Sequence, residues 1–461
     1  MGVVLFNSSA IGSKEDVIEM SGAYPRIGIA AIAAYLLEND ISVKIIDPEL
    51  KQLTLEDIKK EVVRLKPDII GLPAYTEEIN NAAIIAMAVK EVSPDTRLVV
   101  GGPHPSAIPV ETLQEFNSFD IAIIGEGEIT FLDIVKGKDL ESIEGIAYRK
   151  DGNIYRNKDR EPILDLDKLP FPAWQLYDLN EYRGRSLASG FGGKGSSLEL
   201  PIEGARGCPS KCSFCYRLAG NKIRFKSAQK IVDDIERCVR KFDADKIYFT
   251  EGTFGVKKKS AFELFDMIVE RGLNSITWST GARVDVDVDV LRKMKEAGCN
   301  FIGFGVESGD PDILTGVGKN ISPEQSIKVF EICKEIDIKT EANFILGLPY
   351  ETKETAMRTI ELASKLKADY ANFAILVPFP GTKVYEMALN NEAGLKIKSK
   401  DWKMYGKQMG EALESETLPY KELKKLQMKA YRSFYLKPRN FGALLKRLSF
   451  SRVIYGFKHI F

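Results

Sequence analysis

Short apolar runs alternate along the first third of the chain with stretches whose apolar positions recur at helical spacing. Val3 to Phe6, Val43 to Ile46, Ile69 to Leu72, Leu98 to Val100 and Ile121 to Ile124 read as strands, and Ile29 to Leu37, Leu55 to Leu65 and Ala82 to Val89 as helices. Strands without polar alternation fit burial on both faces of a parallel sheet. The alternation therefore predicts an α/β domain over residues 1–150, with a doubly wound, Rossmann-like parallel sheet.

A second pattern begins near residue 196. Leu198 to Glu203, Lys246 to Thr250, Ile276 to Thr280, Phe301 to Val306, Lys339 to Leu346 and Tyr370 to Val377 are strand-like, and helical stretches separate them from one another. Six βα units predict a partial (β/α)6 TIM-like barrel over 196–387, short of full eightfold closure. Between the two patterns, 151–195 reads as a linker. Asp151-Gly-Asn is a hairpin turn there, Leu169-Pro-Phe-Pro-Ala-Trp174 extended chain packed between domains, and Gly190 to Gly195 a loop. Past Ala388 the barrel pattern is lost, and 388–461 is expected to be mainly helical.

Length and composition narrow the class. At 461 residues, two or three domains are expected. Lys+Arg and Asp+Glu are both 65, so no chain-wide basic footprint points to nucleic acid. No run approaches a membrane span, and Met1 to Phe6 lacks a leader pattern, so the expectation is a cytoplasmic protein whose cysteines serve metal binding rather than disulfides.

In open parallel sheets, ligands bind beyond the carboxyl ends of the strands. Those ends read Asn7-Ser-Ser-Ala10, Pro73-Ala-Tyr-Thr-Glu-Glu78, Gly101-Gly-Pro-His-Pro105 and Gly125-Glu-Gly-Glu128. Glycines admit close approach of a bulky ligand, although Gly and Pro also merely punctuate strand ends. At the barrel's strand ends stand Glu251, Arg283 and Glu307, for which an ordinary salt bridge is the plain alternative.

Three of the six cysteines, Cys208, Cys212 and Cys215, fall in Gly207-Cys-Pro-Ser-Lys-Cys-Ser-Phe-Cys-Tyr216 with C-x3-C-x2-C spacing. Soft thiolates select zinc or iron-sulfur clusters. A structural zinc site would need a further ligand nearby, and neither His104 nor His459 is close in sequence. A zinc-stabilised binding protein remains as the alternative from another class.

The stretch Cys208-Pro-Ser-Lys-Cys212-Ser-Phe-Cys215, with an aromatic before the third cysteine, resembles the signature of radical S-adenosylmethionine (SAM) enzymes. The resemblance implies a 4Fe-4S cluster on Cys208, Cys212 and Cys215, with its remaining iron chelating SAM. It further implies SAM contacts at Phe214, Glu251, Arg283, Glu307, Asn343, Ile345 and Val377, with Glu251 near the amino group and Glu307 on the ribose. Gly252 stands where other members often carry a second acid.

Tyr24 to Leu36, Val99 to Pro105 and Ile124 to Glu128 are similar to the cobalamin-binding domain that precedes the radical SAM core in one subfamily. That similarity implies cobalamin contacts at Ser8, Tyr75, Thr76, Glu77, Gly101, Gly102, Pro103, His104, Gly125, Glu126 and Gly127. The D-x-H-x-x-G signature of other cobalamin proteins is absent, and His104 is expected on a surface loop rather than on cobalt. The implied activity is reductive cleavage of SAM and methylation of an unactivated carbon, with an external low-potential electron donor. Cyclisation, oxidation or carbon-carbon coupling without methyl transfer is the alternative within enzymes. The catalytic residues and the substrate are not readable. Ten Lys/Arg and no acid follow Glu422, a pattern compatible with peripheral contact to an anionic membrane, or with a solvated helix face.

Overall fold

The computed structural model describes residues 2–7, 24–184, 196–251, 254–406, 410–438 and 440. They form two compact units, one of Met1–Arg183 with Ala205–Cys208 and Tyr216–Phe225, the other of Gly184–Gly204, Pro209–Cys215 and Lys226–Phe461.

In the first unit the apolar runs become β1 (Val3–Phe6), β2 (Val43–Ile46), β3 (Ile69–Pro73), β4 (Arg97–Gly101) and β5 (Ile121–Ile123). All five pair in parallel in the order β2-β1-β3-β4-β5. Helices such as Leu55–Leu65 cross between them, its start fixed by a capping box in which Thr54 and Asp57 satisfy each other's amides. An antiparallel hairpin extends the sheet: β6 (Ile146–Lys150) and β7 (Asn153–Arg156). Asp151 and Gly152 both adopt positive φ in its turn, as a two-residue hairpin of this hand requires.

The chain expected as a linker packs on this unit as far as Arg183. Trp174 is fully buried there, at the start of a short turn that follows the irregular chain of residues 169–173. The Tyr177 hydroxyl donates to Asn7 Oδ1 at 3.0 Å and the Tyr182 hydroxyl to Asp47 Oδ2, while Asn7 Nδ2 donates to Asp47 Oδ2 at 2.7 Å. Four buried polar side chains thus satisfy one another beneath the carboxyl ends of β1 and β2.

In the second unit β8 (Glu199–Ile202), β9 (Lys246–Phe249), β10 (Thr277–Arg283), β11 (Cys299–Glu307), β12 (Lys339–Leu346) and β13 (Tyr370–Ile375) form one parallel sheet in chain order. Among the described residues β8 and β13 do not pair, so the barrel is open. Burial alternates along β12 and β13. The fully buried side meets the outer helices: Phe304 packs on Phe330, Trp278 stacks on Phe265, and Phe373 meets Tyr431 edge-on. The other side, with Gly281, Arg283, Gly303, Gly305, Asn343 and Ile345, faces away from the helices, into the barrel.

The tail is not wholly helical. Leu395–Ile397 and Leu413–Ser415 pair antiparallel before the helix Tyr420–Tyr435. That helix lies along β13 and bonds to its backbone. The Tyr435 hydroxyl accepts from the Ala371 amide at 3.1 Å and donates to the Ala371 carbonyl at 2.9 Å, and Gln427 Nε2 donates to the Phe373 carbonyl at 2.7 Å.

Candidate functional site

The strand order of the first unit reverses between β1 and β3, which opens a crevice at their carboxyl ends. Ser8 lies outside the described residues. After β3, Tyr75 is exposed, with the Arg26 guanidinium 5.4 Å from its ring centre, and Thr76 is buried. Glu77 is half-buried. Arg26 also grips Glu78 through two bonds, of 3.0 and 2.5 Å.

At the end of β4 and just beyond it come Gly101, Gly102 and Pro103, all half-buried. Gly102 has φ +102°, and a Cβ there would stand 3.0 Å from the Ala74 carbonyl, so only glycine lets the two loops lie this close. His104 is not on the surface. The chain turns directly into the helix Pro103–Ala107, which tucks the ring inward to 1% exposure with Nδ1 3.3 Å from Thr76 Oγ1. Burial pushes its pKa down to about 4, so the imidazole is neutral at pH 7.

After β5, a Cβ on Gly125 would meet nothing within 4 Å, and Gly127 opens the helix Gly127–Val135. Glu126 is committed elsewhere. It accepts from the Ile163 amide at 2.7 Å and from Arg224 at 2.7 and 3.2 Å. Burial opposes its charge, but Arg224 and the nearby Arg206 more than offset that and hold the carboxyl below its ordinary value. A glycine-lined, open rim at the strand ends suits a large, flat cofactor such as cobalamin.

The cysteine stretch is a hairpin loop. Ala205–Arg206 pairs antiparallel with Arg224–Phe225, and residues 207–223 run between them. Gly207 has φ +88°, and any side chain there would collide with the Lys222 carbonyl, so the loop closes only with glycine at its base. The Cys208 amide donates to the Gly220 carbonyl at 3.2 Å. In the second unit, the Ser213 amide donates to the Val317 carbonyl and its carbonyl accepts from Val384, while Cys212 Sγ lies 3.8 Å from the Gly318 carbonyl. Phe214 packs with Ile345 on a cluster that includes Ile313, Val317, Leu376 and Val384.

Cys208 and Cys212 are half-buried and Cys215 is exposed, whereas Cys238, Cys299 and Cys333 are fully buried. Burial raises the Cys299 and Cys333 thiols, the latter to about 12, which suits inert core thiols. Among the described residues no three His, Cys, Asp or Glu side chains are gathered to hold a single ion. Three soft thiols on one anchored loop suit an iron-sulfur cluster, whose usual ligands are cysteine thiolates.

At the mouth of the open barrel, Arg283 pairs with Asp285 at 2.9 Å and donates to Ser210 Oγ at 3.1 Å, holding the chain between Cys208 and Cys212. Glu307 adopts φ +67° at the end of β11 and is 8% exposed. Its Oε1 accepts from Lys319 Nζ at 2.9 Å, and both side chains are nearly buried. Glu251 is half-buried, and loss of solvent pushes it up to about 8. The Gly204 amide, at 3.2 Å, works against that shift and the charge of Glu203 adds to it. Asn343 Nδ2 lies 3.5 Å from the Phe304 carbonyl, and Val377 is 5% exposed beside the turn that ends β13.

Lys319 and Ser210 were not legible as partners of this mouth. A lone lysine twelve residues after a strand-end acid has no local pattern, and only the folded chain brings it back.

Comparison with known proteins agrees with this architecture. The family model for the radical SAM superfamily matches residues 202–363, and that for the B12 binding domain matches 16–135. The uncharacterized methyltransferase PH0819 of Pyrococcus horikoshii is 32% identical over 422 residues, covering 90% of this chain and 88% of that protein. The anaerobic magnesium-protoporphyrin IX monomethyl ester cyclase of Rubrivivax gelatinosus is 28% identical, over 91% of this chain and 75% of the cyclase. Among solved structures, the radical SAM methyltransferase TsrM of Kitasatospora setae, with cobalamin and a [4Fe-4S] cluster bound, superposes with TM-score 0.68 at 18% identity, over 87% of this chain and 77% of TsrM. The cobalamin-dependent SAM radical enzyme OxsB, with aqua-cobalamin and SAM bound, gives TM-score 0.74 at 17% identity, over 99% of this chain and 74% of OxsB. With a cysteine loop and an open parallel barrel, a B12-type domain earlier in the chain, and a relative 32% identical over 90% of the sequence, the chain belongs to the cobalamin-dependent family of radical SAM enzymes.

Proposed function

We propose that this enzyme places a methyl group on an unactivated carbon of its substrate. The observation that carries the reading is the presence in one chain of a B12 binding domain and a radical SAM core. When bound, the cluster, SAM and cobalamin supply a 5′-deoxyadenosyl radical to activate a carbon-hydrogen bond and a methyl group to transfer.

The protein's own groups bind and orient. Cys208, Cys212 and Cys215 hold the cluster, with Arg283 fixing the intervening chain through Ser210. Lys319 engages one oxygen of Glu307, which leaves the other to accept from ribose hydroxyls. Glu251 offers a carboxyl to the SAM ammonium, and a cation beside it returns the group from about 8 toward its charged form. Phe214, Asn343, Ile345 and Val377 line the adenosine side. Tyr75, Thr76, Glu77, Gly101, Gly102, Pro103, Gly125 and Gly127 border the cobalamin, and neutral His104 beneath Thr76 supports that rim. An external one-electron donor completes the reaction. Among the described residues no helix is long and apolar enough to cross a membrane. The basic tail after Asn440 lies outside the described residues.

The test is anaerobic turnover of the reconstituted, cobalamin-loaded protein with SAM, a reductant and candidate substrates. Methyl transfer yields S-adenosylhomocysteine together with 5′-deoxyadenosine. The similarity to the Rubrivivax cyclase favours ring formation as the second reading, and turnover giving 5′-deoxyadenosine and a cyclised product without S-adenosylhomocysteine would establish it instead.

A further inference from the structure

Glu126, Glu128, Arg206 and Arg224 form one ion network within the first unit. Arg206 Nη2 contacts Glu128 Oε1 at 2.6 Å, Arg206 Nη1 contacts Glu126 Oε1 at 3.5 Å, and Arg224 Nη2 contacts Glu126 Oε1 at 2.7 Å. These side chains are only 4–11% exposed. Arg224 is bound further to the carbonyls of Ile163 at 2.6 Å and Ala219 at 2.8 Å.

The network joins two segments that serve different cofactors. Arg206 and Arg224 are cross-strand partners at the base of the cysteine hairpin, the last paired residues before the loop that bears the thiols. Glu126 and Glu128 alternate with Gly125 and Gly127 where the chain leaves β5 and enters the helix Gly127–Val135, so one short segment offers open backbone at Gly125 on the rim and carboxylates to the hairpin. A buried charge that loses its partner costs more than the intact pair is worth. Neither segment can shift alone without stranding a charge, so the two share one arrangement.

We propose that this clasp makes cluster loading and cobalamin binding cooperative, with Glu126, Glu128, Arg206 and Arg224 as positioning residues. The inference rests on the cobalamin reading of the rim. A ligand that favours the seated form of 125–128 favours the seated hairpin, and by linkage a loaded hairpin raises cobalamin affinity by the same factor. Coupled sites commonly show factors of roughly 5 to 150.

The experiment titrates hydroxocobalamin, by anaerobic equilibrium dialysis, into the full chain in cluster-free and reconstituted forms. The wild type is expected to bind at least about fivefold more tightly when the cluster is present. That ratio should fall toward one in Glu128→Gln and in Arg206→Gln and return in part in Glu128→Asp. Because each ratio compares two states of the same protein, general destabilisation does not move it. A second measurement follows tryptic cleavage after Arg217 and Lys222 in the cluster-free wild type, where cobalamin should slow cutting by a similar factor. Equal cobalamin affinity in the two wild-type forms overturns the inference and leaves the B12 reading standing, as does a ratio that survives Glu128→Gln. A chain that binds no cobalamin in either form overturns both.

Discussion

Replacing Glu351 by Gln should make the second unit more stable at alkaline pH and leave it nearly unchanged at acid pH. Glu351 closes the turn after β12. Its Oε2 accepts from the Gly347 amide at 2.5 Å, its Oε1 has no hydrogen-bond partner among the described residues, and it is 1% exposed. Burial pushes the carboxyl from 4.5 up to about 8, the amides of Gly347 and Leu348 pull the other way, and the charge of Asp310 adds to the rise. At about 1.4 kcal/mol for each tenfold change in proton affinity, that displacement is on the order of 5 kcal/mol. The sign follows from proton binding. The folded state holds this proton more tightly than the unfolded chain, so the stabilisation is complete below about 4.5 and is lost as pH rises through about 8. Gln keeps an acceptor for Gly347 and never ionises. Urea unfolding of the cofactor-free wild type and variant from pH 5 to 9 should give curves that lie together at pH 5 and separate by about 2–5 kcal/mol at pH 9, with the variant above. A separation that stays constant across the range would refute the reasoning, because it would mean that Glu351 does not change charge there.

Three further outcomes are expected. Lys319→Met should weaken SAM binding by about 1.5–3 kcal/mol, roughly 10- to 150-fold, because Glu307 loses the charged group that orients it. Equilibrium dialysis measures this, and unchanged affinity would remove Lys319 from the site. Alanine at Cys208, Cys212 or Cys215 should abolish iron retention and 5′-deoxyadenosine formation, while Cys299→Ala should keep both, which iron analysis and product chromatography report directly. Tyr435→Phe deletes a hydroxyl that both donates to and accepts from Ala371, so urea unfolding should show a loss of about 1–3 kcal/mol. No loss would mean that water serves the backbone of β13 equally well.

What could be read from the sequence was local. Val3–Phe6, Leu55–Leu65 and Lys339–Leu346 begin and end where their patterns do, because apolar runs and a capping box act over a few residues. The cysteine spacing was equally plain. Gly-Gly-Pro-His-Pro reads as a turn and so puts His104 at the surface, whereas contact with Thr76, far back in the chain, draws the ring inside. The 151–195 stretch looked like a linker for a related reason. Its Pro and Gly content speaks of irregular chain, and the tie from Tyr177 to Asn7 spans 170 residues that no local pattern can report. The partners of Glu126 and Glu307 were hidden in the same way. An acid shows its charge in the sequence, but the base that holds it arrives only with the fold.

The helix Tyr420–Tyr435 also bears on how the protein behaves when it is incomplete. β13 ends an open sheet, and an uncovered edge presents a row of amides and carbonyls that can recruit a strand from another molecule. Tyr435, Tyr431 and Gln427 occupy that row with side-chain groups, which cannot extend the sheet further. A chain that stops short of Tyr420 would keep its cysteines, its sheet residues and its B12-type domain. It would also expose an apolar, β-rich edge to its neighbours, so such truncations would be lost to aggregation in the cell before any fault in catalysis could show.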